Sequence, residues 1–425
     1  MKNTYKLMLQ MLIFTALFSA SKAEIPDNKY PGQKTSEPIS TALDHFKKGM
    51  QSGESHNYYE AIDEFDEALK INPQYIDALA MRGLSKYYLG AYDDAIEDYT
   101  TLINIKPDYT DAYLQRALVK YYAYKYNEAI DDCNNAIKVK PGLSVAYFIR
   151  GIAKNYLKDL NGSLADLDSA INHKDNYLDA IYNRGLVKQK LNDNNGSLAD
   201  FDRAITLKPD YADAFYNRAI TKKQMKNYPE ALSDLDETIK INNEYVDAYF
   251  TRALIREEVQ DNKGALDDVN FVIYKKPNYP DAYFVRGIIF NGMEYYSQSI
   301  DNFSKAISLR PDFADAFYNR GIVKRALNED FNAIKDFNET IRLDSTHTGA
   351  IMERGEAEFD LKEFESSLDD FKMVIKLDPK HVNAHYKAGH AYYNIGKQDE
   401  ACMEWKIARD FGFVDAFKML ESNCK

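Results

Sequence analysis

The sequence has few of the residues that mark disulfide-rich or loop-rich proteins. Its 425 residues include only 3 cysteines and 12 prolines. Three cysteines are too few for a disulfide scaffold or a multi-cysteine zinc site. The net charge of −12 argues against nucleic acid as the main partner, because phosphate binding needs clustered lysine and arginine. Apolar residues make up 45% of the chain, which excludes intrinsic disorder for most of it.

Long apolar runs are also missing, apart from a short one at the N-terminus. Lys2 and Lys6 precede the stretch LMLQMLIFTALF, and the small residues Ser21 and Ala23 follow it. This order is typical of a secretory signal peptide, which we place at residues 1–23. The run is shorter than the ~20 residues that a membrane span needs. We therefore expect an exported protein, periplasmic or secreted, with no transmembrane segment in the mature chain.

Prolines divide the rest of the chain. Residues 24–41 hold three of them among polar residues, which indicates a flexible leader. Seven others are separated by multiples of 34 residues: Pro73, Pro107, Pro141, Pro209, Pro277, Pro311 and Pro379. With these at position 32, eleven repeats of 34 residues run without insertion over 42–415. Both halves of each repeat have apolar residues at helical spacing, with turn residues between them, so each repeat predicts two amphipathic helices.

Small and aromatic residues recur at fixed positions of the repeat. Glycine or alanine stands at position 8, and most repeats have alanine at positions 20 and 27 and an aromatic residue at position 24. With the period of 34 and proline at position 32, this pattern resembles the tetratricopeptide repeat. The resemblance implies an all-α fold, an α-solenoid whose helix-turn-helix repeats form a right-handed superhelix. Residues 416–425 depart from the pattern and indicate a C-terminal capping helix or tail, which covers the last apolar face of a solenoid.

Charged residues also recur. Nine consecutive repeats have arginine at position 7, and eight of these have aspartate at position 23, as in the pairs Arg184 with Asp200 and Arg218 with Asp234. An arginine ladder alone would suggest an anion groove. The matching carboxylates favour structural ion pairs between packed helices, because buried charges are paired. In an oxidising compartment, Cys402 and Cys424 could form a disulfide that holds the cap.

The resemblance places a ligand groove along the first helices, at positions 2, 5, 6, 9, 12 and 13. Position 5 is aromatic in repeats 4–9, and the asparagines at position 6 could grip a peptide backbone. Tyrosines at positions 12 and 13 of repeats 2–4 combine apolar area with a polar tip. The candidate partner-binding residues are Tyr87, Tyr88, Tyr121, Tyr122, Phe148, Tyr156, Tyr182, Asn183, Tyr216, Asn217, Phe250, Phe284, Tyr318 and Asn319. The alternative for position 5 is packing between neighbouring repeats.

The sequence contains no convincing catalytic or metal site. His381 and His385 have the i,i+4 spacing of a metal pair, but no glutamate completes an H-E-x-x-H motif. We expect no enzyme activity, cofactor or metal. The sequence therefore predicts a protein–protein interaction scaffold that binds an extended peptide or partner subunit in its concave groove. The alternative is a structural subunit of a cell-envelope assembly, held through its convex face or termini.

Overall fold

The structure is a computed structural model that describes residues 37–424, with side chains from residue 41 onward. The signal peptide predicted at 1–23, and residues 24–36 of the leader predicted at 24–41, lie outside the described residues. Residues 37–41 of that predicted leader are helical and belong to the first helix. Within 37–424 the chain forms 23 α-helices and no strand. It divides into two compact bodies: the N-terminal body ends at Asp159 and the C-terminal body begins at Leu160.

The helices of the N-terminal body are α1 (Glu37–Glu54), α2 (Tyr58–Ile71), α3 (Ile76–Tyr88), α4 (Tyr92–Ile105), α5 (Thr110–Tyr122), α6 (Tyr126–Val139) and α7 (Ser144–Tyr156). Those of the C-terminal body are α8 (Leu160–His173), α9 (Leu178–Lys190), α10 (Asn194–Leu207), α11 (Ala212–Gln224), α12 (Tyr228–Ile241), α13 (Val246–Glu258), α14 (Asn262–Lys275), α15 (Pro280–Gly292), α16 (Tyr296–Leu309), α17 (Ala314–Ala326), α18 (Asp330–Leu343), α19 (Thr348–Asp360), α20 (Phe364–Leu377), α21 (Val382–Asn394), α22 (Gln398–Asp410) and α23 (Val414–Asn423). Odd-numbered helices up to α21 are the first helices of repeats 1–11, and even-numbered helices are the second.

Within each body, consecutive helices pack against each other, and the two helices of a repeat meet at position 8. A Cβ atom added at Gly321 would lie 2.6 Å from the ring of Phe337 at position 24. One added at Gly185 would lie 2.8 Å from the ring of Phe201. Where position 8 is alanine, position 24 is smaller, as in the pairs Ala117 with Cys133, Ala219 with Leu235 and Ala253 with Val269. A larger residue at position 8 is thus accompanied by a smaller one at position 24, as dense packing favours.

This volume match makes Gly321→Ala destabilising, although alanine is normally the better helix former by about 1 kcal/mol. We expect a net loss of about 1–2 kcal/mol in the free energy of unfolding, because the added methyl group overpacks the contact. Urea unfolding followed by circular dichroism measures it. The double variant Gly321→Ala/Phe337→Leu, which copies Ala219 with Leu235, should recover part of the loss. Gly292→Ala is the control, since its Cβ would meet nothing within 4 Å. An unchanged midpoint for Gly321→Ala would contradict the volume match.

The turn between the two helices of a repeat depends on position 15. This residue has a positive φ, for example 59° at Lys226 and 60° at Asn192. Glycine, which adopts this conformation without strain, occupies the position at Gly90 and Gly396. The turn places position 12 of the first helix beside position 17, where the second helix begins. In repeat 3 these are Tyr121 and Tyr126, whose ring centroids are 5.6 Å apart.

The chain ends in a capping helix. Helix α23 begins at Val414, two residues before the predicted cap, and its Ala416 is buried with Trp405 and Ala408 of α22. Cys402 and Cys424 form a disulfide with a Cα–Cα distance of 5.8 Å. The C-terminal end of α23 is therefore tied covalently to α22.

Candidate partner-binding surface

Eight tyrosines of the N-terminal body form a continuous line of ring contacts. We call them the tyrosine ladder: Tyr58, Tyr87, Tyr88, Tyr92, Tyr121, Tyr122, Tyr126 and Tyr156. Neighbouring centroids lie 4.8 Å apart for Tyr58 and Tyr88, 5.4 Å for Tyr87 and Tyr122, and 5.5 Å for Tyr121 and Tyr156. Aromatic pairs at such distances stabilise each other beyond the area that they bury. The ladder follows the turns between first and second helices in repeats 1–4.

Sequence reasoning missed three rings of the ladder. Tyr58, Tyr92 and Tyr126 stand at position 17, the first residue of α2, α4 and α6. Tyr126 stacks on Tyr156 at 5.1 Å with an interplanar angle of 11°. The recurrence of tyrosine at position 17 was a usable signal, but it lies outside the groove positions that the family resemblance supplies.

The ladder has a buried base and an exposed rim. Tyr87 is buried, whereas Tyr156 is 55% exposed. Burial raises the pKa of Tyr88 and of Tyr122 to about 12. It raises the pKa of Tyr87 and Tyr121 further. All four hydroxyls therefore stay protonated at neutral pH and can donate hydrogen bonds.

The position 5 rings have a different environment. Phe148 and Tyr182 are each 1% exposed, so neither can contact a partner. In repeats 5–9, each ring at position 5 packs on the residue at position 34. The centroid distances run from 4.7 to 5.2 Å in the pairs Tyr182 with Tyr211, Tyr216 with Tyr245, Phe250 with Tyr279, Phe284 with Phe313, and Tyr318 with His347. For Phe148 and Tyr182 the structure supports the packing alternative, and Tyr216, Phe250, Phe284 and Tyr318 are partly buried.

The side chains of the asparagines at position 6 are hydrogen-bonded within their own helices. Asn183 and Asn217 are buried, and each donates its side-chain amide to the carbonyl four residues earlier, at 2.7 Å. Asn217 also donates to the hydroxyl of Tyr182 at 2.9 Å. Asn319 makes the same helix bond at 2.8 Å but is only partly buried. Asn183 and Asn217 therefore belong to the packed interior and not to an open groove.

The arginines at position 7 are held on two sides. The Nε and Nη2 groups of Arg184 donate to the two carboxylate oxygens of Asp200 at 2.9 and 2.5 Å. Arg218 and Asp234 make the same bidentate pair at 2.9 and 2.5 Å. The Nη1 group of Arg184 donates to Asp168 of the preceding repeat at 2.8 Å. The guanidinium therefore joins the second helices of successive repeats, and it is not free to bind an anion.

A second cation completes this site. The Nζ atom of Lys188, at position 11, lies 2.9 Å from Oδ2 of Asp200. The Nζ atom of Lys222 lies 2.8 Å from Oδ2 of Asp234. The match between positions 7 and 23 in the sequence does not reveal this lysine, which stands at position 11. Asp200 and Asp234 thus each have a bidentate arginine and a lysine as partners.

Among the described residues, no group of three or more histidine, cysteine, aspartate or glutamate side chains could hold a metal ion. His385 pairs through Nδ1 with Glu404 at 2.6 Å, and Nδ1 of His381 accepts the amide of Ala384 at 3.1 Å. Both histidines are therefore used within the fold. In the same part of the chain, every helix is too short or too polar to cross a membrane.

Parts of this chain match family models, and its fold is similar to several solved structures. Models described as tetratricopeptide repeat match residues 76–109, 178–211 and 280–313, and a TPR repeat model matches 355–396. No curated protein matches. Among solved structures, yeast Tom70 is 15% identical, covering 91% of this chain and 96% of its own, with a TM-score of 0.40. A tetratricopeptide repeat protein from Parabacteroides merdae is 17% identical, covering 58% of this chain and 98% of its own, with a TM-score of 0.45. YrrB, described as a TPR protein with an unusual peptide-binding site, is 21% identical, covering 43% and 95%, with a TM-score of 0.37.

The first three model matches have the same boundaries as repeats 2, 5 and 8 of the 34-residue pattern. Paired helices recur in register through the described residues. These two observations confirm the predicted all-α repeat fold. The chain is a tetratricopeptide repeat protein with many repeats.

Proposed function

We propose that this protein is a non-catalytic scaffold that binds an extended peptide or a partner subunit along the tyrosine ladder. Tetratricopeptide repeat proteins bind protein or peptide partners, and solenoids present extended surfaces for this purpose. The observation that carries the proposal is the continuous ring contact from Tyr58 to Tyr156, with an exposed rim. Tyrosine suits such a surface because it supplies large, rigid contact area with few rotatable bonds.

The distribution of buried and exposed rings supports this choice of surface. The rings at position 5 pack on position 34 in repeats 5–9, and Arg184 and Arg218 at position 7 are bonded to carboxylates. On the ladder, Tyr156 is 55% exposed, and the partly buried rings beside it leave part of their area in the solvent. Its repeated spacing gives a partner several shallow contacts over three to four repeats, as an extended chain requires.

We further propose that the protein works outside the cytoplasm. One support is the signal-like sequence of residues 1–23. The other is the disulfide between Cys402 and Cys424, since such bonds persist in oxidising compartments.

The double substitution Tyr126→Ser/Tyr156→Ser should weaken peptide binding by about 10- to 100-fold, because it removes two stacked rings of the kind that form interface hot spots. The probes are peptides selected from a random 12-residue library on the purified protein. Their dissociation constants are measured by isothermal titration calorimetry. Circular dichroism checks that the helical content is kept.

Tyr274→Ser serves as the matched control, because Tyr274 is 77% exposed but belongs to the C-terminal body and is not part of the ladder. Equal affinity for the double variant and the control would exclude the ladder as the binding surface. Selection of no peptide at all, together with recovery of an envelope complex that is broken by substitutions on the second helices, would favour the structural subunit instead.

A further inference from the structure

Tyrosine rings at position 12 fill a defined space in repeats 2 and 3. The ring of Tyr87 lies 6.0 Å from Tyr92 at position 17 and 5.4 Å from Tyr122 at position 13 of the next repeat. The ring of Tyr121 lies 5.6 Å from Tyr126 and 5.5 Å from Tyr156. Each position 12 ring thus forms a triad with a position 17 ring and a position 13 ring.

Repeat 1 has two rings of this triad and lacks the third. Tyr58 at position 17 and Tyr88 at position 13 of repeat 2 are stacked at 4.8 Å with an interplanar angle of 12°. Position 12 is Gly53. A notch is present there, and its walls include Met50, Gly53, Tyr58, Phe65, Ser85 and Tyr88.

The walls of this notch correspond position by position to the surroundings of Tyr87. In repeat 2, Tyr87 packs in one cluster with Leu84, Tyr99 and Val119, beside Tyr92 and Tyr122. These five occupy the repeat positions that Met50, Phe65, Ser85, Tyr58 and Tyr88 occupy around the notch. The notch is therefore the Tyr87 pocket without its tyrosine.

The stacked pair does not close this space. Tyr126 and Tyr156 of the third triad are stacked at 5.1 Å and still have the ring of Tyr121 against them. A Cβ atom added at Gly53 would meet only the Cβ of Ala61, at 4.0 Å. Space is present for a side chain from position 53, whereas the notch itself holds only about 10 Å³ and has to widen to admit a ring from outside.

We propose that the notch at Gly53 binds one aromatic ring, the phenylalanine or tyrosine side chain of a bound peptide. The ring would complete the first triad, as Tyr87 and Tyr121 complete the second and third, through edge and face contacts with Tyr58 and Tyr88. This inference rests on the proposed function, because it names the residue by which the peptide is anchored at the N-terminal end of the ladder.

The test uses N-acetyl-L-tyrosine amide as the probe and N-acetyl-L-leucine amide for comparison, titrated into the full chain by saturation-transfer NMR. We expect millimolar binding of the tyrosine amide, as small ligands of this size allow. Binding of the leucine amide should be at least about 10-fold weaker, because it lacks the aromatic ring. Gly53→Tyr should abolish binding of the tyrosine amide, since its own ring fills the notch. Gly53→Ala, which gains the same Cβ but no ring, should keep it.

Equal binding of the tyrosine amide to Gly53→Tyr and Gly53→Ala would overturn the inference, as would no binding to the unmodified chain. If library-selected peptides still bind the ladder in that case, the proposed function stands and only the anchor is wrong. If the selected peptides fail as well, both are wrong.

Discussion

Asp200→Ala will lower the free energy of unfolding by about 3–5 kcal/mol, the cost of breaking a buried ion pair from one side. The Asp200 side chain is only 4% exposed, and both of its oxygens are occupied by Arg184 and Lys188. Alanine leaves two partly buried cations without this carboxylate. The loss also reaches the neighbouring repeat, because the same guanidinium holds Asp168.

Asp168→Ala provides the matched control. It removes the other carboxylate of Arg184, but its side chain is 47% exposed, and exposed pairs contribute only about 0–1 kcal/mol. Urea unfolding midpoints of both variants, followed by helical circular dichroism, measure the difference. Asp200→Asn should fall between them, since repeat 8 already has Asn302 at position 23. Similar losses for Asp200→Ala and Asp168→Ala would show that burial does not determine how much each ion pair contributes to the free energy of unfolding.

Glu358→Lys should stabilise the protein by about 1–2 kcal/mol at pH 8. Position 11 normally supplies a cation within 2.7–2.9 Å of the aspartate at position 23, as in Lys86, Lys120, Lys188, Lys222, Arg256 and Lys324. Repeat 10 has Glu358 there, next to a second carboxylate, Asp370. The Oε2 atom of Glu358 is buried without a hydrogen-bond partner. Burial, and then the charge of Asp370, raise the pKa of Glu358 to about 7, against the opposing effect of Arg354.

The raised pKa determines how stability depends on pH. The folded state holds the proton of Glu358 more tightly than the unfolded chain, whose glutamate titrates near 4.5. This contribution is fully present below about pH 4.5 and is lost as the pH rises through about 7. A shift of this size corresponds to about 3 kcal/mol. Because the carboxyl is only half-buried, solvent screening reduces the expected effect to about half of that.

Thermal and urea unfolding between pH 5 and 8 test this expectation. The unmodified chain should lose stability across the range from this site, whereas Glu358→Lys should remove that loss. Glu358→Gln separates the repulsion between Glu358 and Asp370 from the attraction of an added lysine, because it removes the repulsion without adding a cation. Its stability should be less dependent on pH than that of the unmodified chain, with a smaller gain at pH 8. A destabilised Glu358→Lys at pH 8 would show that the cation does not reach Asp370.

The fold followed from the sequence because its signal repeats. Glycine or alanine at position 8 and proline at position 32 recur in one register, so the helix pairs could be placed without knowing any contact. The binding surface was harder to predict. Tyr182 at position 5 is covered by Tyr211, which precedes the next first helix, whereas Tyr156 at position 13 is 55% exposed. Which rings are covered depends on residues that come from another helix, and the period of a single helix does not contain that information.

The partners of Arg286 have a mechanical consequence. This arginine lies between Asn302 of its own repeat and Asn270 of the preceding one, with bonds of 2.7 and 2.8 Å. Both partners are neutral, whereas Arg184, Arg218 and Arg252 each bridge two carboxylates. In a linear array each repeat contacts only its neighbours, and a hydrogen bond from arginine to a neutral amide lacks the Coulomb attraction of an ion pair. We therefore expect the arginine at the junction between repeats 7 and 8 to resist bending or tension less than Arg184, Arg218 and Arg252 do at theirs.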